Sequence, residues 1–163
     1  MKKAGFTLIE LLVVISIIGI LAGLTLASYS GAQKQTRDTE RRSDLAQYRN
    51  SLENYAANNN GLYIGRTTRT YINTGSTFCN TLTTPGFISS CPVDPINDAA
   101  HQYYYRSDGS NDYLATATKY VLWVRLETEG FWEVCSDGRS GKLTTSPNAG
   151  SGQGDINGTC QLP

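Results

Sequence analysis

Few side chains in this sequence have the type and spacing that do chemistry, and the first of them is Glu10. Its carboxylate stands at the head of an apolar run with no charged residue between Leu11 and Gln33. An ionised carboxylate alone in apolar surroundings costs about 2.5 kcal/mol or more, so Glu10 needs a cationic partner. Cys79, Cys91, Cys135 and Cys160 are the four cysteines; in a small exported domain they read as two disulfides. The sequence-local choice among the three possible connectivities pairs Cys79 with Cys91 and Cys135 with Cys160. His101 is the one histidine. Without a second histidine or a spare thiol it completes neither a zinc site nor a nucleophile–base pair, and it reads as a strand-edge residue. Asp108, Asn111 and Asp112, in a glycine-containing loop, offer oxygens to a calcium ion. Their spacing is not that of a helix–loop–helix calcium site, and a plain hairpin turn is the simpler expectation. Asn157-Gly158-Thr159 is a glycosylation sequon in form only. Calcium is the single cofactor these residues suggest, and the chain reads as non-enzymatic.

Glu10 is positioned by the segment around it. From Phe6 to Ala27 apolar residues appear on every side of a helical wheel, which predicts a helix buried on all its faces. At about 1.5 Å per residue it would be roughly 33 Å long, close to the roughly 30 Å of a bilayer's hydrocarbon. A transmembrane span over 6–28 is the plain reading. Met1-Lys2-Lys3 and Thr25-Leu26-Ala27 also permit a secretory signal peptide, although Glu10 stands where such a segment should be purely apolar. A single-pass anchor on an unrelated surface domain fits the length and leaves Glu10 unaccounted for. Gly19 and Gly23 each cost about 1 kcal/mol relative to alanine in a helix interior. Spaced four apart with Ala22 and Ala27 nearby, they form a small-residue stripe on which another helix can pack closely.

Lys2-Lys3-Ala4-Gly5 followed by Phe6-Thr7-Leu8-Ile9-Glu10 resembles the prepilin motif of the type IV pilins and of the pseudopilins of type II secretion and competence. The resemblance covers about the first 50 residues. It implies a leader, residues 1–5, cut between Gly5 and Phe6 by a prepilin peptidase that also methylates the new amine on Phe6. It implies that Glu10 serves assembly with copies of the chain in a helical filament, driven by an inner-membrane platform and an ATPase. The expected location is the plasma membrane as a single-pass protein, then a cell-surface filament. Elementary electrostatics supports the same assignment: the new ammonium on Phe6 lies one helical turn from Glu10, so a carboxylate can pair with its own or a neighbour's terminus. A buried charge deprived of its partner costs about 3–5 kcal/mol, enough to set the axial register between subunits. A pilus subunit for adhesion, motility or DNA uptake, a pseudopilus subunit, and a membrane-anchored domain that never polymerises remain as alternatives.

The rest of the 163 residues must form the body that such a helix carries. Acidic and basic residues balance at 14 each, and loss of Lys2 and Lys3 with the leader leaves the chain mildly acidic, without the basic field that nucleic-acid binding favours. In residues 29–60 the helix turns amphipathic, with Leu45, Tyr48, Leu52 and Tyr55 at three- and four-residue spacing as the stripe for a packed domain. Asp38 and Arg42 stand at i and i+4, and Arg37, Arg41 and Arg42 read as a solvated face. Asn58-Asn59-Asn60-Gly61 stops the helix. Residues 61–163 predict a disulfide-stapled head: a loop-rich connection to about residue 100, then an antiparallel meander over 102–136. Its strands are Tyr103–Arg106, Tyr113–Thr118, Tyr120–Leu126 and Phe131–Cys135, and one face is buried on the helix stripe. The loop at 137–163 has too little apolar content to order itself, and a Cys135–Cys160 bond would tie it down. The predicted class is α+β, a long N-terminal helical spine packed on a small antiparallel sheet, which matches the architecture the pilin resemblance implies.

Overall fold

The computed structural model describes residues 5–147 and 160–162, with the side chains of 24–28 set aside. In chain order the elements are α1 (Leu8–Asn58), β1 (Tyr63–Ile64), β2 (Thr70–Ile72), α2 (Thr77–Thr83), β3 (Tyr103–Ser107), β4 (Ala115–Ala117), β5 (Tyr120–Arg125), β6 (Phe131–Cys135) and β7 (Ser140–Leu143). The chain forms two compact units, Met1–Thr36 and Arg37–Pro163. The class is α+β, a long N-terminal helix with an antiparallel sheet, as the sequence predicts. Asn157 and the rest of its sequon lie outside the described residues, as do Lys2 and Lys3 of the leader.

Helix α1 runs for 51 residues. It stops where Asn60 and Gly61 adopt left-handed backbone, φ 56° and 80°, and the Gly61 amide turns back to the Ala56 carbonyl at 2.8 Å. Glycine pays no Cβ penalty in that conformation, so the cap is cheap. Within the first unit the apolar side chains of the helix are widely exposed, Leu8, Ile9 and Ile20 at 86%, 70% and 67%. Among the described residues no helix is long and apolar enough to cross a membrane.

The second unit is built on a five-stranded antiparallel sheet in the order β2-β3-β5-β6-β7. Strand β3 shows the alternation of a one-sided strand, with Tyr103, Tyr105 and Ser107 inward. Those tyrosines join Leu45, Tyr48, Leu52 and Tyr55 of α1, and Leu122, Val124 and Leu126, in the main core. Ring edges meet there, Tyr48 against Tyr103 at 6.0 Å and Tyr55 against Phe87 at 5.9 Å, the tilted geometry aromatic quadrupoles prefer.

Three expectations change. Residues 61–100 are not merely loop: Ser76 caps α2 by accepting the Cys79 amide, and Phe78, Cys79 and Leu82 are buried in the core. The segment 113–118 does not join the meander. Only Ala115–Ala117 is strand, and it pairs with β1 in a separate two-stranded sheet, so β3 pairs directly with β5. The sheet is also buried on both faces rather than one. Val121, Trp123 and Cys135 form a second cluster on the face away from α1, covered by Cys160 and Leu162. The start of the loop at 137–163 supplies its own strand, β7, paired with β6. Glycine permits this closure: a Cβ on Gly141 would meet a Leu162 methyl at 2.9 Å.

Candidate functional site

At the N-terminus Glu10 occupies the first turn of α1. Its Oε2 accepts the Thr7 amide at 2.8 Å and the Thr7 hydroxyl at 2.7 Å, while the Glu10 amide donates to Thr7 Oγ1 at 3.3 Å. This is a reciprocal capping box, which satisfies amides that a helix start otherwise leaves open and places the carboxylate at the positive end of the helix dipole. Gly5 and Phe6 precede the helix. Phe6 is 87% exposed, and nothing lies within 4 Å of where a Cβ on Gly5 would sit. The peptide bond between them therefore stands clear of neighbouring chain. Gly19 and Gly23 likewise face open space.

In the second unit α1 begins with an ionic network rather than a solvated face. Arg41 is fully buried. Its guanidinium donates to Asp94 at 2.6 and 2.9 Å, to Asp38 at 2.8 Å and to Glu127 at 2.8 Å. Arg37 grips the same Glu127 with two bonds of 2.7 Å. Asp38 reaches beyond Arg41, accepting the Glu127 and Thr128 amides and the Thr128 hydroxyl. The predicted Asp38–Arg42 pair is thus replaced by Asp38–Arg41 at i+3, and Arg42 instead lies over the Trp132 ring, 4.7 Å from its centroid. The reason is geometric: the turn Glu127–Gly130 brings carboxylate and amides to the Arg41 side of the helix. Paired geometry and full hydrogen bonding are what make a buried guanidinium tolerable. One turn on, Asp44 accepts the Tyr103 hydroxyl at 2.5 Å; burial pushes its carboxyl up, and that hydrogen bond opposes the rise.

Two disulfides staple the head, Cys79–Cys91 with S–S 2.08 Å and Cys135–Cys160 with S–S 2.00 Å. The first ties α2 to the segment whose Pro92 carbonyl accepts the Tyr48 hydroxyl at 2.7 Å. Beside the second lies Glu133, buried on the same face of β6 as Cys135. Among the described residues the one group of three potential metal ligands is Glu133, Cys135 and Cys160, and both sulfurs of that group are consumed in the bond.

The calcium candidates each serve protein donors. Asp108 accepts the Thr118 amide and hydroxyl and the Lys119 amide. Asp112 accepts the Ser110 hydroxyl and the Leu114 amide, and the Asn111 side-chain oxygen accepts the Thr68 hydroxyl. His101 is not on a strand edge. It lies in the bend before β3, where its Nδ1 and amide meet the Asp98 carboxylate at 2.8 Å.

Comparison with known proteins places the N-terminal geometry. Residues 1–26 match the family described as the prokaryotic N-terminal methylation motif. The chain has the prepilin motif of the type IV pilins and pseudopilins. The chain is 37% identical over 59 residues to type II secretion system core protein G of Aeromonas hydrophila, a match covering 36% of the chain and 41% of that relative. It is 38% identical over 58 residues to the core protein G of Escherichia coli (strain K12), covering 36% and 40%. To a fimbrial protein of Pseudomonas aeruginosa it is 26% identical over 155 residues, 90% of each chain. The chain therefore spans about two fifths of the secretion proteins it matches and nine tenths of the fimbrial one. No solved structure matches it.

Sequence reasoning missed two partners, Thr7 and Glu133. Thr7 and Glu10 spell the T-x-x-E signature of a capping box, legible before the structure. Glu133 shares a face with Cys135 by the two-residue period of a strand, which was enough to place a carboxylate against the disulfide.

Proposed function

We propose that the chain is a structural, non-enzymatic subunit of a type IV pilus or a related filament. The observation that carries the reading is an exposed apolar helix headed by a single acid, one turn after an open Gly5–Phe6 bond. A prepilin peptidase cuts that bond and methylates Phe6. Residues 6–28 hold the subunit in the plasma membrane as a single-pass segment until an assembly platform with its ATPase extracts it. Apolar side chains exposed as widely as Leu8, Ile9 and Ile20 cannot then face water, so they exchange lipid for sister helices, which approach closely along Gly19 and Gly23. Glu10 meets the Phe6 ammonium of its own chain or a neighbour's, and residues 61–163 form the head of the subunit in the cell-surface fibre. Asp108, Asn111 and Asp112 keep a calcium role only if the ion displaces their present donors. Mass spectrometry of the mature N-terminus in the native host tests the reading. N-methylphenylalanine at Phe6 is expected; a chain beginning at Met1 or Ser28 sinks it.

The identity to core protein G favours a second reading, a short pseudopilus subunit of a secretion system. Electron microscopy of extracellular filaments with and without the gene separates the two, since only a pilus subunit removes long surface fibres.

A further inference from the structure

The segment that closes the chain ends on a carboxylate with no ordinary structural explanation. Glu133 sits in the middle of β6, opposite Trp123 on β5 and Gly141 on β7, and is fully buried. Its Oε2 accepts the Gln161 amide at 3.0 Å and lies 3.8 Å from Cys160 Sγ. Its Oε1 is buried and has no hydrogen-bond partner among the described residues. A buried carboxylate half satisfied in this way destabilises a fold unless it does something. A glutamine of the same shape would hold the Gln161 amide without the charge.

The geometry points to Glu133 as the proton acceptor and donor of the Cys160 thiol when the Cys135–Cys160 bond closes and opens. In closure, a low-molecular-weight disulfide RSSR first forms the mixed disulfide Cys135–S–S–R and releases RSH. The Cys160 thiol then gives its proton to Glu133 Oε2 as its sulfur attacks Cys135 Sγ. The Cys135–SR bond breaks and RS⁻ leaves to take a proton from water. Two electrons pass from the cysteine pair to RSSR, and two RSH result. Opening is the reverse: a thiolate attacks Cys135 Sγ, and Cys160 departs as a thiolate that takes the proton from the Glu133 carboxylic acid. The site needs such a group because thiol–disulfide exchange runs through thiolates, and the Cys160 thiolate emerges part-buried, with its sulfur 3.8 Å from Glu133 Oε2.

The charged groups acting on Glu133 are Arg139, which favours its ionised form, and Asp137, which opposes it; both come from the β6–β7 turn. Val121 and Trp123 on β5 and Leu162 on the closing segment are apolar. Burial is the strongest influence and raises the Glu133 carboxyl, with the Gln161 and Leu162 amides pulling the other way. A carboxyl raised from its ordinary 4.5 keeps its proton to higher pH than a free one and can hand it over, as a general acid must.

The test uses the full chain with both disulfides formed. It is exposed to dithiothreitol between pH 5 and 8, quenched with iodoacetamide, and each cysteine pair is followed by peptide mass spectrometry. Rates are divided by the dithiothreitol thiolate concentration. For Cys135–Cys160 the normalised rate is expected to rise at least tenfold as pH falls and Glu133 gains its proton. In E133Q it is expected to be flat and at least tenfold slower at pH 5, and E133D should keep part of the rise. Cys79–Cys91, in the same molecules, should stay flat throughout. A flat profile for Cys135–Cys160 in the unsubstituted chain overturns the proposal even if E133Q fails to fold. So does an E133Q profile that keeps the full rise, because that is what a purely structural role produces.

Discussion

Arg41 on α1 and Asp94, 53 residues later, share hydrogen bonds of 2.6 and 2.9 Å with both side chains sealed from water. The same guanidinium also takes Asp38 and Glu127, so three carboxylates from three stretches of chain converge on one cation. Replacing Arg41→Met leaves those carboxylates buried against one another without it. The expected loss is about 3–5 kcal/mol, read by urea denaturation of the chain. A loss under about 1 kcal/mol would show that water reaches the cluster.

Acid should weaken the same corner. The Arg37 guanidinium holds the Glu127 carboxyl down to about 2; burial opposes this and Arg41 reinforces it. A carboxyl depressed from its ordinary 4.5 contributes stability that is complete above about 4.5 and disappears as pH falls through about 2. Asp44 and Glu133 have the opposite sign, because burial raises them: their contribution is complete at low pH and declines as pH rises through their folded values. Urea midpoints measured from pH 7 to pH 2 should therefore fall on the acid side in the parent and fall less in Glu127→Gln. Parallel curves for the two proteins would contradict the assignment.

Gly130 closes the turn between β5 and β6 at φ 65°, and a Cβ there would meet the Leu143 carbonyl oxygen at 2.2 Å. The substitution Gly130→Ala collides with backbone rather than with a flexible side chain. It should cost more than the roughly 1 kcal/mol of the conformational term alone. Thermal unfolding by circular dichroism measures this, and an unchanged Tm would mean the turn relaxes freely.

Removing the second staple has a local optical signature. In the double substitution Cys135→Ser with Cys160→Ser, the cover over Trp123 keeps its bonds to Glu133, from Arg139 to the Leu162 carbonyl at 2.6 Å and from the Gln161 side chain to the Pro147 carbonyl at 3.2 Å. Stability should drop by about 2–5 kcal/mol, Trp123 emission should shift to the red, and proteolysis should clip the C-terminal segment first. Unshifted emission would show that the cover does not depend on the bond.

At the other end, capping and charge separate by substitution. Thr7→Ala removes the cap, costing about 1 kcal/mol of helix stability, and leaves the Glu10 carboxylate in place. Glu10→Gln preserves an acceptor for Thr7 and removes the charge. If pairing with the Phe6 ammonium drives assembly, Glu10→Gln and Glu10→Ala both leave leader removal intact and abolish or slow fibre formation, whereas Thr7→Ala still assembles. Normal fibre yield from Glu10→Gln would refute the pairing.

Much of this was legible in the sequence because it depends on local pattern. The long helix, its Asn60-Gly61 stop, the tyrosine and leucine stripe, and the hairpin turn ending at Gly130 all follow from spacing and backbone chemistry within a few residues. The failures are long-range. Nothing in Ala115–Ala117 says that its partner is Tyr63–Ile64, because an isolated three-residue strand carries no register. Arg41 reads as solvated on a helical wheel, since its burial is made by Asp94 and Glu127 far along the chain. The second apolar face of β5 went unseen because its cover, Leu162, lies beyond a polar stretch that shows no periodicity.

The outer strands of the sheet are β2 and β7, three and four residues long, and Lys142 stands on β7 beside the exposed Glu129 at 2.6 Å. Brevity and a charged tip are how sheets avoid stitching themselves to a neighbour's edge. A chain that packs beside many copies of itself, as proposed above, has unusual need of that protection. In such an assembly rods could crowd together while the short outer strands β2 and β7 offer little seam to amyloid-like growth.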